Sequence, residues 1–290
     1  MARKNKGFGI FISTFCISFV ILSALFLLFM LYTRTAKVET VEPDVPKEHI
    51  VTAKENMTLL LLASDNITNP PELILLASYR APQGQLSLLL LPPETVCQRE
   101  GRTDTLEGWY DYEGVRGCLN SVNTLLNVDI QRYLRTDGNG LAALIDFLGG
   151  VEYEIPGDFT IGSEQFYAGR QLLDGRRLKT LLFFPDSYGA AEVARQRELT
   201  SLLAESRLNE SFAGEYDRFT ATLFDCCETN LSQFDFLERR EGFTSHLRNH
   251  SLALSTLSLE GDYSANHTRF TPDSTSIRDI QSRLSGREPA

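Results

Sequence analysis

Three carboxylates stand where apolar runs begin or end. Asp65 follows the run Met57–Ala63, Glu72 opens the run Leu73–Ser78, and Glu94 follows Leu86–Leu91 within Pro92-Pro93-Glu94-Thr95. If the runs are neighbouring strands, these carboxylates gather at the ends of one sheet. Carboxylate oxygens in that position suit a hard cation such as Mg2+, which also bridges phosphates. Arg195, Gln196 and Arg197 form a second polar group near the start of a long helical stretch. A guanidinium there could fork onto a diphosphate. The plainer reading is that strand ends are polar in any protein and that Arg195 makes a surface ion pair.

Other chemistry finds little support. His246 and His250 are spaced to share a helix face, but no third ligand or glutamate accompanies them, so they read as surface histidines. There is no Gly-x-Ser-x-Gly elbow and no Walker loop. Cys97 and Cys118 flank a polar, Gly-containing segment. They read either as a disulfide, which would stabilise by about 3 kcal/mol in an oxidising compartment, or as two buried thiols. The adjacent Cys226 and Cys227 read as free. Asn-x-Ser/Thr occurs at Asn56, Asn66, Asn209, Asn230, Asn249 and Asn266. These are acceptors for glycan in a suitable host, or turn and cap residues.

The elements that must carry these residues alternate in type. The runs at 57–63, 73–78 and 86–91 predict three buried strands of one sheet covered on both faces. Residues 98–117 read as a polar surface loop. Leu119–Leu126 has helical spacing, and Ile130–Thr136 alternates as a strand. Asp137 caps a predicted helix Leu141–Leu148 that stops at Gly149-Gly150. Further predicted elements are a strand at 151–155, helices at 174–182, 190–208 and 231–243 (the last capped by Thr229 or Asn230), a strand at 252–259 and a helix at 274–284. The class is α/β, a single mixed sheet between helix layers.

The chain has 290 residues, 42% of them apolar, and a formal net charge of −10. That acidity argues against nucleic acid as a partner, since phosphate backbones call for clustered Lys and Arg. The charge is split. Residues 1–37 carry five cations and no acid, leaving −15 on the rest. Between the basic ends, residues 7–32 are uncharged and rich in Phe, Ile and Leu. About 20 apolar helical residues cross a bilayer core, so this segment reads as a transmembrane signal anchor. A cleaved signal peptide would have a shorter core and a small-residue cleavage site. The expected arrangement is a cytoplasmic tail at 1–6, the anchor at 7–32, a stalk or an ordered edge at 33–56, and an extracellular domain at 57–290.

The order of segments resembles the LytR-CpsA-Psr family of cell-envelope proteins. The block LLNVDIQRYLRTDGNGLAALIDFLGGVEYEIP at 125–156 is similar to the family's strand, helix, Gly-Gly, strand unit. TLLLLASDN at 58–66, LLPPET at 90–95, LLDG at 172–175, RQRELTSLL at 195–203 and TNLSQFDFLERREGF at 229–243 are also similar. The resemblance implies transfer of a glycopolymer from a polyprenyl-diphosphate carrier to peptidoglycan. It implies an apolar tunnel for the prenyl tail, Mg2+ on the diphosphate, and arginines gripping it. Carried onto this chain, it places Asp65 and Glu72 at the metal, Asp65 and Arg195 in catalysis, and Glu94, Arg195, Gln196 and Arg197 on the substrate.

The match thins at the cations. Where the family has arginines, this chain has Ile67, Pro93, Phe183, Pro185 and Glu192; only Arg195 and Gln196 match cleanly. The expectation is therefore a membrane-anchored family member that binds polyprenyl-linked glycan with transferase activity weakened or lost. The alternatives are an active Mg-dependent transferase with a rearranged site, and a non-catalytic ectodomain that acts through protein contacts.

Overall fold

Leucine alternation on three strands builds the centre of the molecule. In the computed structural model, which describes residues 49–184 and 190–285, β1 (Met57–Ser64), β2 (Leu73–Arg80) and β3 (Gln85–Leu91) form an antiparallel meander. Leu60 pairs with Leu76, and Leu76 with Leu89. β6 (Arg132–Asp137) adds parallel to β1, β12 (Ala253–Leu257) adds parallel to β3, and the short β11 (Glu228–Thr229) closes one edge. The sheet order is β11-β6-β1-β2-β3-β12. This is the expected single mixed sheet.

Helices cover both faces because both faces of these strands are apolar. Leu60, Leu62, Ile74, Leu76 and Leu89 pack against Trp109, Val122 and Leu126 of α1 (Leu106–Leu126) and against Ile280 and Leu284 of α7 (Ser274–Ser285). On the other face, Ala63, Leu73 and Leu90 meet α2 (Gly138–Leu148), α3 (Gly175–Leu182) and α4 (Ala190–Arg207) through Leu141, Ile145, Leu178 and Leu199. Farther along that face lie α5 (Glu210–Cys226) and α6 (Gln233–Arg248), with Phe212, Tyr216 and Phe236.

Small two-stranded sheets complete the fold: β4 (Val96–Arg99) with β5 (Arg102–Thr105), β7 (Val151–Ile155) with β10 (Gly169–Leu173), β8 (Phe159–Ile161) with β9 (Glu164–Phe166), and β13 (Gly261–Tyr263) with β14 (Phe270–Pro272). Asp137 and Asp174 cap α2 and α3 by accepting from Gly140 and Arg177 backbone N–H groups. Gly149 ends α2 in the left-handed conformation.

Residues 98–117 are not a surface loop. They form the β4–β5 hairpin and the first half of α1. Thr105 caps that helix, its Oγ1 accepting from Gly108 N–H at 3.0 Å. Trp109 is buried and its ring N–H donates to the Cys97 carbonyl at 3.2 Å. Polar residues wrap this tryptophan, Arg99 stacking 4.3 Å from its ring centroid, and that wrapping gave the segment its loop-like composition. A Gly114 outside helical geometry (φ 63°) breaks α1 in its first half, which also weakened the helical pattern.

The cap of α6 is Ser232 rather than Thr229 or Asn230. Those two are drawn away to the sheet edge, where Asn230 accepts from Tyr133 N–H at 3.0 Å and donates to the Gln131 carbonyl. Ser232 and Asp235 make a reciprocal capping box, and Arg132 donates to Asp235 at 3.0 Å. Burial pushes the Asp235 carboxyl up, but the Ser232 N–H and hydroxyl with the Arg132 guanidinium outweigh it and hold it below the usual range. Asp235→Ala should cost about 1–3 kcal/mol in urea denaturation. The stability that Asp235 contributes is complete above its unfolded-state pKa and is lost as pH falls through the lower folded-state value. The gap between wild type and Asp235→Asn should accordingly narrow below about pH 4.

Four of the sequon asparagines serve the backbone. Asn56 accepts from Ala81 N–H, Asn66 from Thr68 N–H, Asn209 caps α5, and Asn230 holds β6. Cys97 and Cys118 are unbonded, buried in the same apolar cluster. Burial pushes the Cys97 thiol up to about 12, so it is protonated and inert at neutral pH. The stretch assigned to the stalk is folded from His49 onward. Glu55 is buried and accepts from the Thr52 backbone, and Arg239 of α6 donates to the Asn56 carbonyl. The cytoplasmic tail, the candidate membrane segment, residues 33–48 and Pro185 lie outside the described residues. Among the described residues no helix is long and apolar enough to cross a membrane.

Candidate functional site

Strand β1 runs from an apolar cavity to a polar strand end. Side chains of a strand alternate, so Leu59, Leu61 and Ala63 of β1 point the same way, and Asp65 follows in the bend just past the strand's end. Leu59 and Leu61 line a cavity of about 250 Å3 between the sheet and α5–α6. Its other walls include Ala77, Tyr79, Leu88, Phe212, Phe219 and Phe243. Ala63 packs in the cluster beyond it. Asp65 lies about 13 Å along from Leu61 at the strand rise of about 3.3 Å per residue. Neither Asp65 nor Arg195 lines the cavity itself, and buried Leu73, Leu90 and Leu199 fill the core of that next cluster.

The strand ends are tied together by backbone. Asp65 N–H donates to Glu72 Oε1 at 3.0 Å, and Glu72 N–H to the Ala63 carbonyl at 2.9 Å. Gln196 is buried, and its amide donates to the Leu182 carbonyl at 2.8 Å and reaches the Glu72 carbonyl at 3.5 Å. Asp65 itself is largely exposed, and its Oδ1 lies 3.2 Å from Lys179 Nζ on α3. Lys179 carries no periodic or motif signal, and sequence reading passes over it. Only its placement one helical turn before Phe183, a position where the resemblance expects a cation, hinted at it.

A separate pocket of about 320 Å3 opens beside these residues. Glu72, Glu94 and Gln196 line it, with Glu107 from α1, Glu192 from α4, Phe183 and Tyr263. Burial pushes the Glu94 and Glu107 carboxyls up, and Glu107 adds to the effect on Glu94. The buried Tyr263 hydroxyl has no hydrogen-bond partner among the described residues. The pocket is therefore acidic where the resemblance expects arginines.

The structure does not converge Arg195, Gln196 and Arg197 on one site. Successive residues of a helix do not face each other. Gln196 points inward, Arg195 donates to the Phe184 carbonyl, and Arg197 donates to Ser258 Oγ. The hairpin arginines are engaged too. Arg99 pairs with Glu113, and Arg102 donates to Asp104 while stacking 4.3 Å from the Tyr112 ring. His246 is no ligand: its ring nitrogens face the Ala81 carbonyl at 2.8 Å and Ser251 Oγ at 2.9 Å.

Asp65 and Glu72 supply the oxygen donors that Mg2+ takes, and Mg2+ is ordinarily held by one or two carboxylates plus substrate phosphate. Among the described residues no three His, Cys, Asp or Glu side chains are grouped to hold a metal. A cation at this pair would have to be completed by a phosphate ligand, since Asp65 Oδ1 lies beside Lys179 Nζ and Glu72 Oε1 accepts from Asp65 N–H.

A mixed sheet between helix layers, an apolar cavity under one face and carboxylates beyond the end of β1 define the class, an α/β protein with an apolar cavity on one side of its sheet. The chain belongs to the LytR_cpsA_psr family, whose model matches residues 25–286. The polyisoprenyl-teichoic acid–peptidoglycan teichoic acid transferase TagU of Enterococcus faecalis is 25% identical over 214 residues, which cover 69% of this chain and 70% of TagU. Among solved structures, TagV of Bacillus subtilis superposes with a TM-score of 0.68 at 19% identity, covering 82% of this chain and all of that one. YwtF (TagT), with bound octaprenyl pyrophosphate lipid, superposes with a TM-score of 0.60 at 15% identity over 81% of this chain and 90% of its own.

Proposed function

We propose that this chain is held at the cell membrane by residues 7–32, its N-terminus cytoplasmic and its domain outside. There it binds a polyprenyl-(di)phosphate-linked glycan, and its transfer activity toward peptidoglycan is weakened or lost. The observation that carries the binding half is that β1 lines the apolar cavity with Leu59 and Leu61 and ends beside Asp65 and Glu72. A prenyl tail suits the apolar cavity chemically, and its phosphate would reach the strand end only past the Leu73, Leu90 and Leu199 cluster. The volume of about 250 Å3 is slightly below the roughly 300–1,000 Å3 of small-molecule sites. The bound octaprenyl pyrophosphate of YwtF (TagT) supports the ligand class.

The half concerning activity rests on charge. Family chemistry is phosphoryl transfer, in which fixed cations carry most of the stabilisation. Here Glu94, Glu107 and Glu192 line the adjoining pocket, and Arg195 and Arg197 point elsewhere. Each missing donor to a transferring phosphate is worth about 10²–10³ in rate. Mg2+, held by Asp65 and Glu72, would offset part of the negative charge at the diphosphate.

The test uses the full-length protein extracted from membranes. Mass spectrometry of its organic extract should show prenyl phosphate lipid, and added polyprenyl diphosphate-linked glycan should yield little or no released lipid phosphate in Mg2+. A lipid-free protein without affinity for prenyl diphosphate would sink the binding reading. Brisk Mg2+-dependent release would instead make it an active transferase.

The acidic pocket adds a pH signature. Folding raises the Glu94 pKa, so its proton is held to higher pH than in the unfolded chain, and the favourable contribution of that proton is lost as pH rises through the folded-state value. Acidification moves Glu94 and Glu107 toward their neutral forms and should tighten binding of farnesyl diphosphate as pH falls. Glu94→Gln should bind it severalfold tighter at pH 7.5 and flatten that rise, measured by titration calorimetry.

A further inference from the structure

Lys179 is the one lysine in residues 57–290, a domain that uses arginine at every other cationic position. Its ammonium reaches across the fold to Asp65 Oδ1 at 3.2 Å, although the two residues are 114 apart in sequence. The reach depends on a glycine. A Cβ on Gly138 would lie 2.9 Å from Lys179 Cδ and 3.0 Å from Asp65 Oδ1. The lysine stem runs over the bare first residue of α2 to get there.

The position on α3 matters as much. Residues four apart lie on one face of a helix, about 5.4 Å apart along its axis. Four residues after Lys179 stands Phe183, whose N–H donates to the Lys179 carbonyl at 3.0 Å and whose ring lines the acidic pocket with Glu72 and Glu94. Lys179 therefore sets a cation one turn back from a pocket wall that carries four glutamates and no Lys or Arg among the described residues.

The pairing with Asp65 is of the exchangeable kind. Asp65 is 62% exposed and Lys179 21% exposed, so water competes for the carboxylate, and such pairs are weak. Arg99 and Arg102, by contrast, are stacked on Trp109 and Tyr112 and paired with carboxylates. An ammonium is a compact, rotatable point charge that can change partners without leaving its stem's path.

We propose that Lys179 is the phosphate-binding cation of this chain. Asp65 tethers it while no ligand is present, and it turns to the phosphate end of a prenyl (di)phosphate when one enters. This rests on the proposed function above and names the residue that makes that site accept an anion despite its glutamates.

The experiment compares farnesyl diphosphate with farnesol, using full-length protein in detergent and titration calorimetry. Wild type should bind the diphosphate at least ten-fold tighter than the alcohol. Lys179→Met, which keeps the stem and removes the charge, should erase that preference and leave farnesol affinity within twofold, which also reports that the fold and cavity are intact. Lys179→Arg should restore the preference at least in part. The preference of wild type should weaken with added salt more steeply than that of Lys179→Met. If Lys179→Met keeps the preference, or if wild type binds farnesol but shows no preference, the proposal is overturned while the lipid-cavity reading stands. If wild type binds neither ligand, both fall together.

Discussion

Ala77→Phe is expected to abolish prenyl binding while leaving the protein folded. Ala77 lies on β2 between Leu59 and Leu88, and all three line the apolar cavity. A phenyl ring built there projects into the space that the tail would occupy. In a filled core such a substitution costs about 1–3 kcal/mol. Here the ring enters an existing void of about 250 Å3 and gains apolar contact, which offsets the strain. The midpoint of thermal unfolding should stay within a few degrees of wild type. Affinity for farnesol and for farnesyl diphosphate should fall together by at least 100-fold, about 2.7 kcal/mol. Their equal loss separates a blocked tail site from a damaged phosphate site. Retained affinity with the ring in place would mean that the tail binds elsewhere on the domain.

The second large effect is on stability. Gly150→Ala should cost about 3 kcal/mol or more and lower the unfolding midpoint by roughly 6–12 °C. Gly150 has φ +67°, a left-handed conformation that costs an L-residue about 1–2 kcal/mol. A Cβ would also lie 2.2 Å from the Leu173 carbonyl oxygen, a backbone atom at the end of β10 that cannot swing aside. Its neighbour provides the control. Gly149 has φ +87°, but a Cβ there meets only the flexible Arg207 guanidinium at 3.5 Å. Gly149→Ala should lose only the backbone term, about 1–2 kcal/mol. Equal melting points for the two variants would refute the steric argument. The close approach at Gly150 also locks the β7–β10 pair that leads into Asp174 and α3, so Gly150→Ala should loosen the helix that carries Lys179.

Those two glycines show how far local sequence reading goes. Gly149-Gly150 after an apolar helical pattern announced a helix end, and α2 does end there. Nothing local distinguished a glycine facing a mobile side chain from one pressed against another strand. The same division runs through the chain. Asp137 was legible as a cap because capping is settled within three residues. Ser232 was passed over for Thr229 and Asn230 because those two bond to β6, nearly a hundred residues away. Residues 98–117 looked like a loop because a single buried Trp109, with Arg99 laid over it, organises a segment whose composition is polar.

By itself the sequence determined the class of fold, the order of the main strands of its sheet and the family to which they belong, but not the helix Glu210–Cys226 that walls the apolar cavity. Continuous leucine runs of strand length between turn residues are buried as strands covered on both faces, and helix caps act locally. The sequence also determined that the usual arginines are replaced. What the replacements do was decided only in three dimensions. Consecutive Arg195, Gln196 and Arg197 diverge because a helix turns about 100° per residue. Asp65 meets Lys179 because β1 and α3 bring residues 114 positions apart to one sheet end, over a glycine that leaves room. Charge is written in the chain, but the direction in which each charge points belongs to the packed structure.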